Sequence, residues 1–121
     1  KGLLSNSEIM DILDVSDLLA HPALEESFGM TLVEAMARKV PVLGGQSSGA
    51  VPWVLDGGQA GKLVDVTDPS AIAAGILEVG RNEAVWAKYS SSGYQHAKNV
   101  FHASTVAKQV IQLYHHIIQN R

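Results

Sequence analysis

Short apolar runs alternate with helix-forming segments over the first two thirds of the chain, and this alternation most constrains the fold. Leu18-Leu19-Ala20-His21 is an apolar run stopped by Pro22, and Val40-Pro41-Val42-Leu43 is a second. Both read as strands buried on two faces. Gly61-Lys62-Leu63-Val64 reads as a further strand, and Gly2-Leu3-Leu4 as the tail of an earlier one. The segments between them carry helical periodicity. Ile9, Ile12 and Leu13 give one apolar face, so the spacing predicts a helix over 6–15, with Ser5 and Glu8 at capping-box spacing. Leu32, Val33 and Met36 place a helix to about Arg38 against the sheet, and 50–55 forms a short helix. Asp68-Pro69 is an N-cap followed by proline at the first helical position. It opens a helix over 69–79 with Ile72, Ile76 and Val79 on one face. A helix from Asn82 to about Val100 follows, with Trp86, Tyr89, Gly93 and Ala97 on one side. Ser104 stands at the cap position of a last helix striped by Val106, Val110, Leu113 and Ile117. Strand and helix in alternation argue for an α/β fold on a parallel sheet with right-handed crossovers.

Ligands in such sheets sit off the carboxyl ends of the strands. Two glycine-containing loops follow strand ends, at 22–29 and 44–49, so they should share one edge of the sheet. The small residues of the second, Gly44-Gly45-Gln46-Ser47-Ser48-Gly49, allow positive φ and a close approach of ligand to backbone. The first loop turns at Gly29 and runs into a helix. A helix N-terminus offers free N–H groups and the positive end of a dipole, which suits phosphate. Glu26 and Glu34 bracket that turn. An ionised carboxylate only accepts hydrogen bonds, which suits vicinal hydroxyls. Acids beside a phosphate site therefore point to a ligand carrying both, a nucleotide sugar.

Composition narrows the classes. At 121 residues the chain has room for one domain. A net charge of −3 gives no basic patch for nucleic acid. No cysteine is present, so disulfide and thiolate chemistry are excluded. No apolar run approaches the ~20 residues of a membrane span. The five histidines lack ligand spacing, and the adjacent His115 and His116 would point about 100° apart on a helix, so no metal site is expected. The start, Lys1-Gly2-Leu3-Leu4-Ser5, is neither a signal peptide nor an initiator sequence, so a piece of a longer chain is expected.

Taken in order, the residues resemble a family. Glu26, seven residues, then Glu34 is the Glu-x7-Glu pattern of the retaining glycosyltransferases of family 4, the glycosyl transferases group 1. Around it His21-Pro22, Ser27-Phe28-Gly29, Leu32-Val33-Glu34-Ala35-Met36-Ala37 and Val40-Pro41-Val42 look like that family's signature. Ser48-Gly49-Ala50-Val51-Pro52, Asp56-Gly57, Gly61-Lys62-Leu63-Val64 and Asp68 continue it in register. The resemblance implies a three-layer Rossmann-like fold, part of the C-terminal, nucleotide-sugar-binding domain of the GT-B architecture. The first strands of that domain and the whole N-terminal domain would lie outside the chain.

The resemblance also implies roles. Glu26 would be the catalytic acid-bearing residue, touching the donor-sugar hydroxyls beside the reacting carbon. Glu34 would accept hydrogen bonds from the ribose. Backbone N–H groups of Phe28, Gly29, Met30 and Thr31 would hold the sugar and the distal phosphate. The donor would be a UDP- or GDP-linked sugar, with no cofactor and no metal. In the family an Arg and a Lys from upstream of residue 1 supply the positive charge, so the chain alone is expected not to transfer sugar. The acceptor, a sugar or a lipid-linked sugar, would be met by the other domain. The resemblance places the protein in polysaccharide biosynthesis and in the cytoplasm, with membrane association through the other domain as a further expectation. An exposed sheet edge would permit dimerisation. Two positions depart from the pattern. Trp53 stands where the family often has glutamate, which removes an acidic role from that loop and suggests altered packing. Lys39 replaces a common helix-end glycine, so the helix is expected to end without the usual αL glycine. Competing readings are a sugar-nucleotide epimerase of the same architecture and a non-catalytic nucleotide-sugar-binding module. Nicotinamide binding is disfavoured, because no Gly-x-Gly-x-x-Gly follows the first strand.

Overall fold

The computed structural model describes residues 2–120. Three short strands form a parallel sheet in the order β1-β2-β3: β1 (Leu19–His21), β2 (Val42–Gly45) and β3 (Lys62–Val64). Leu19 pairs with Val42, His21 with Gly44, and Gly45 with Val64. The helices are α1 (Asn6–Asp14), α2 (Met30–Ala37), α3 (Val51–Val54), α4 (Pro69–Arg81), α5 (Glu83–His96) and α6 (Ala103–Gln119). A 3-10 turn (Asp56–Gly58) precedes β3, and a π-helical turn (Ala97–Phe101) joins α5 to α6.

Side-chain alternation along β2 sorts the helices into layers. Val42 points into a core built from Leu13 of α1, Leu32, Ala35 and Met36 of α2, and Val51, Val54 and Leu55 of and beside α3. Leu43 points to the other face, where a Cβ on Gly75 of α4 would lie 2.7 Å from it and 2.8 Å from Val64. That absent side chain lets α4 lie directly on the sheet. Helix α5 touches both α4 and α2, and its Gly93 approaches Met36 and the Ala60 carbonyl. The Trp86 indole N–H donates to the Asp17 carbonyl at 2.7 Å, tying the start of α5 to the segment that enters β1. The three-layer α/β expectation holds.

Several local readings need correction. Gly2-Leu3-Leu4 is not a strand: Gly2 has φ +79°, Leu3 is fully exposed, and no strand lies beside it among the described residues. An apolar pair without a ladder partner has nothing to hold it extended. Gly44 and Gly45 are the end of β2, not loop, because they pair with His21 on one side and with Leu63 and Val64 on the other; Val51 and Ser48 pack so close that only glycine fits there. The cap of α6 is His102, whose Nδ1 accepts from the Ser104 N–H at 3.3 Å, so the helix begins ahead of Ser104. Val33 is only half-buried, while Ala35, unmentioned in the periodicity, is fully buried under α2.

Helix α2 ends without the usual glycine, as expected, yet its terminus still takes αL. Lys39 takes φ +61°, its N–H donates to the Met36 carbonyl, and the Val40 N–H donates to the Ala35 carbonyl, both at 3.0 Å. This is the Schellman arrangement with lysine at the position glycine favours. The Lys39 carbonyl is held by the Ser90 hydroxyl at 2.7 Å, and its ammonium lies 5.1 Å from the Tyr94 ring.

Candidate functional site

The two loops meet as their positions at strand ends predict. The Ala50 N–H donates to the Glu26 carbonyl at 3.0 Å, and the buried Ser48 hydroxyl donates to the Ala23 carbonyl at 2.6 Å. Gly49 has φ +55°, and a Cβ there would stand 2.2 Å from the Glu26 carbonyl oxygen. Only glycine lets the second loop lie this close to the first. The backbone at Glu26 is therefore fixed by the turn after β2.

The Glu26 side chain is fixed as well. One carboxylate oxygen, Oε1, accepts from the Phe28 N–H at 3.3 Å, and the other, Oε2, lies 3.2 Å from Nε2 of His21 at the end of β1. Both side chains are about a quarter exposed, at 24% each. The Phe28 N–H is the main cause holding the Glu26 carboxyl below the ordinary glutamate range. Partial desolvation pushes it upward. The His21 hydrogen bond and charge, and the Ser27 N–H, add to the lowering. Glu25, next in the chain, is exposed.

Gly29 forms the N-cap of α2 with φ +88° and offers no side-chain cap. The first turn of α2 thus keeps free donors: among the described residues the N–H groups of Gly29, Met30 and Thr31 have no protein acceptor, while Leu32 N–H bonds back to the Gly29 carbonyl. Of the four N–H groups expected to face a ligand, Phe28 is already engaged by Glu26. Glu34, in the second turn of α2, is half-buried and has no hydrogen-bond or ion-pair partner among the described residues. The arrangement offers one oriented carboxylate, one unpaired carboxylate, and a short row of free donors at a positive helix end.

Sequence reasoning missed two residues here. His21 reads as a packing residue, yet it faces Glu26 across the turn at Pro22; its signal is a spacing of five across a strand end, which is weak. Ser48 reads as a small loop residue, yet it is buried and staples the two loops together.

Residues 1–98 match the family model described as glycosyl transferases group 1. The chain belongs to that family. Among its relatives is the D-inositol 3-phosphate glycosyltransferase of Corynebacterium glutamicum (strain R), 30% identical over 114 residues, covering 94% of this chain and 27% of that protein. Sucrose-phosphate synthase from Thermosynechococcus elongatus has the same fold, with a TM-score of 0.84 at 22% identity over 100% of this chain and 30% of its own. HepE from Anabaena, solved with UDP and glucose, superposes with a TM-score of 0.77 at 25% identity over 88% of this chain and 29% of its own. The chain thus spans under a third of the length of these relatives, and its fold is that of a GT-B C-terminal domain.

Proposed function

We propose that this chain is the donor-binding part of a retaining glycosyltransferase that uses a nucleotide-diphosphate sugar. The observation carrying the reading is the Glu26 carboxylate, clamped by Phe28 N–H and His21 beside the unpaired N–H groups that open α2. A carboxylate kept ionised and oriented accepts from sugar hydroxyls without a proton to lose. The free donors of Gly29, Met30 and Thr31, with the dipole of α2 behind them, stabilise the growing charge of a leaving nucleoside diphosphate. Glu34, unpaired in α2, takes the ribose diol. The UDP and glucose held by HepE support a donor of this class. The remaining cationic and acceptor-binding groups come from outside these residues, so the 121-residue chain alone does not turn over, and the acceptor is a sugar or a lipid-linked sugar.

The test is steady-state transfer in the full-length protein with Glu26→Gln and Glu34→Gln, using a panel of UDP- and GDP-sugars. Each substitution is expected to cut kcat/KM for the donor at least a hundredfold, because Glu26→Gln removes the charge oriented by Phe28 N–H and His21 and Glu34→Gln removes an unpaired carboxylate acceptor. Near-normal rates in both variants would remove the assignment. The anomeric configuration of the first-formed product, read by NMR, decides retention. An epimerised donor in a reaction run without acceptor would favour an epimerase.

A further inference from the structure

Trp53 departs from the family pattern, and the donor site described above makes no use of it. It is 61% exposed, a large ring left in water on the short helix α3. It is nevertheless packed on one side. Its ring centroid lies 6.1 Å from Phe28, at 53°, and 5.5 Å from Phe101, at 80°. Phe28 and Phe101 are 5.7 Å apart at 84°, which closes a triangle of three aromatic contacts. These are the separations and tilted or edge-to-face angles at which aromatic pairs attract beyond simple burial. The three rings come from three segments: the Glu26 loop, α3, and the turn between α5 and α6.

The π-helical turn brings the third ring into place. In an α-helix, residues five apart point about 140° away from one another. In a π turn the repeat is longer, and residues five apart come onto one face. His96 and Phe101 do so here, at 5.4 Å and 83°, and Phe101 then reaches Phe28. Phe28 is also the residue whose N–H holds the Glu26 carboxylate. A ring locked by two neighbours restrains the backbone that carries it, and with it the donor to Glu26.

We infer that Trp53 and Phe101 are positioning residues that clamp Phe28, and through its backbone N–H orient the Glu26 carboxylate for the sugar. This rests on the donor reading for its consequence in catalysis, but not for the clamp itself. The groups able to confuse a titration are few. His21 faces Glu26 directly, Glu25 precedes it in the chain, and the Ser48–Ala50 turn packed against it brings only uncharged groups. His96 lies on Phe101, at the far side of the cluster.

The experiment is an NMR titration of 13C-labelled glutamate carboxyls in the full-length protein, beside donor kinetics, for Trp53→Ala, Trp53→Phe and Phe101→Ala. Loss of either ring is expected to move the Glu26 titration upward, toward the ordinary glutamate range, and Trp53→Phe to restore it. kcat/KM for the donor should fall three- to tenfold, about the size of one aromatic contact, mainly in kcat. In a Glu26→Gln background the same Trp53→Ala change should have no further kinetic effect. Trp53 is mostly exposed, so its variants keep the fold even if Phe101→Ala does not. An unmoved Glu26 titration in Trp53→Ala overturns the clamp, whatever the rates do. A shifted titration with transfer unaffected by Glu26→Gln upholds the clamp and refutes the donor role instead.

Discussion

Gly49→Ala tests the joint on which the site depends. The added methyl would stand 2.2 Å from the Glu26 carbonyl oxygen, where ordinary contacts stay beyond 3.0 Å, so the two backbones must separate by about 0.8 Å. That movement breaks the 3.0 Å hydrogen bond from Ala50 N–H to Glu26, at a cost of about 1–3 kcal/mol if the acceptor stays dry. The αL conformation of residue 49 adds about 1–2 kcal/mol for a residue with a Cβ, offset by about 0.4–1 kcal/mol from a stiffer unfolded chain. Gly57→Ala is the internal control. It has φ +61°, close to the +55° of Gly49, but a Cβ there meets nothing within 4 Å. The backbone terms then cancel in the comparison, and the difference isolates the contact between the loops. Urea unfolding followed by circular dichroism should place Gly49→Ala about 1–3 kcal/mol below Gly57→Ala. In the full-length enzyme, the displaced Glu26 should cost about a hundredfold in kcat, since misplacements near 1 Å do so, while Gly57→Ala stays close to wild type. Equal stability of the two variants would refute the reasoning, because it would mean that the loops do not bear on each other.

Lys39→Gly should change stability by no more than about 1 kcal/mol either way, because the relief of αL strain is nearly offset by chain entropy and the lost contact with Tyr94; a loss beyond about 1 kcal/mol in urea unfolding would show that the lysine side chain holds more than its backbone does. Glu26 has a depressed folded-state pKa, chiefly from the Phe28 N–H. Its contribution to stability is therefore complete above the ordinary glutamate range and lost as pH falls through the lower folded value. Glu26→Gln should accordingly flatten the acid side of the stability profile while leaving its neutral-to-basic side parallel to wild type, and an unchanged acid limb would count against the hydrogen bond to Phe28.

The strands β1, β2 and β3 were legible because each is a short apolar run bounded by glycine, proline or polar residues and alternating with helical segments. The meeting of the two loops followed from parallel topology alone, since both leave the same ends of neighbouring strands. What escaped the sequence depends on pairing or on path. Gly2–Leu4 has strand composition but no partner beside it. Gly44 and Gly45 have loop composition, but they pair with His21, Leu63 and Val64 in the sheet, and Val51 and Ser48 pack where their side chains would be. The His21–Glu26 contact is set by the turn at Pro22, and the Phe28–Trp53–Phe101 triangle by a π turn. A helical periodicity of 3.6 passes over such a turn without a mark. Lys39 ends α2 without glycine as expected, and its αL backbone is imposed by the Schellman hydrogen bonds, which no residue type announces.

Helix α6 has 17 residues, none of them buried, and carries Val106, Val110, Leu113 and Ile117 along an exposed stripe. In proteins most helical stability comes from tertiary packing of an apolar face rather than from propensity. The order of α6 is therefore not underwritten by the core around β2. Its backbone amides are expected to exchange through local opening of the helix, at a lower free energy than the global unfolding that governs the buried Val42 and Leu43. One molecule would thus carry two clocks, joined at the π turn: a slow one for the sheet, and a faster one for α6.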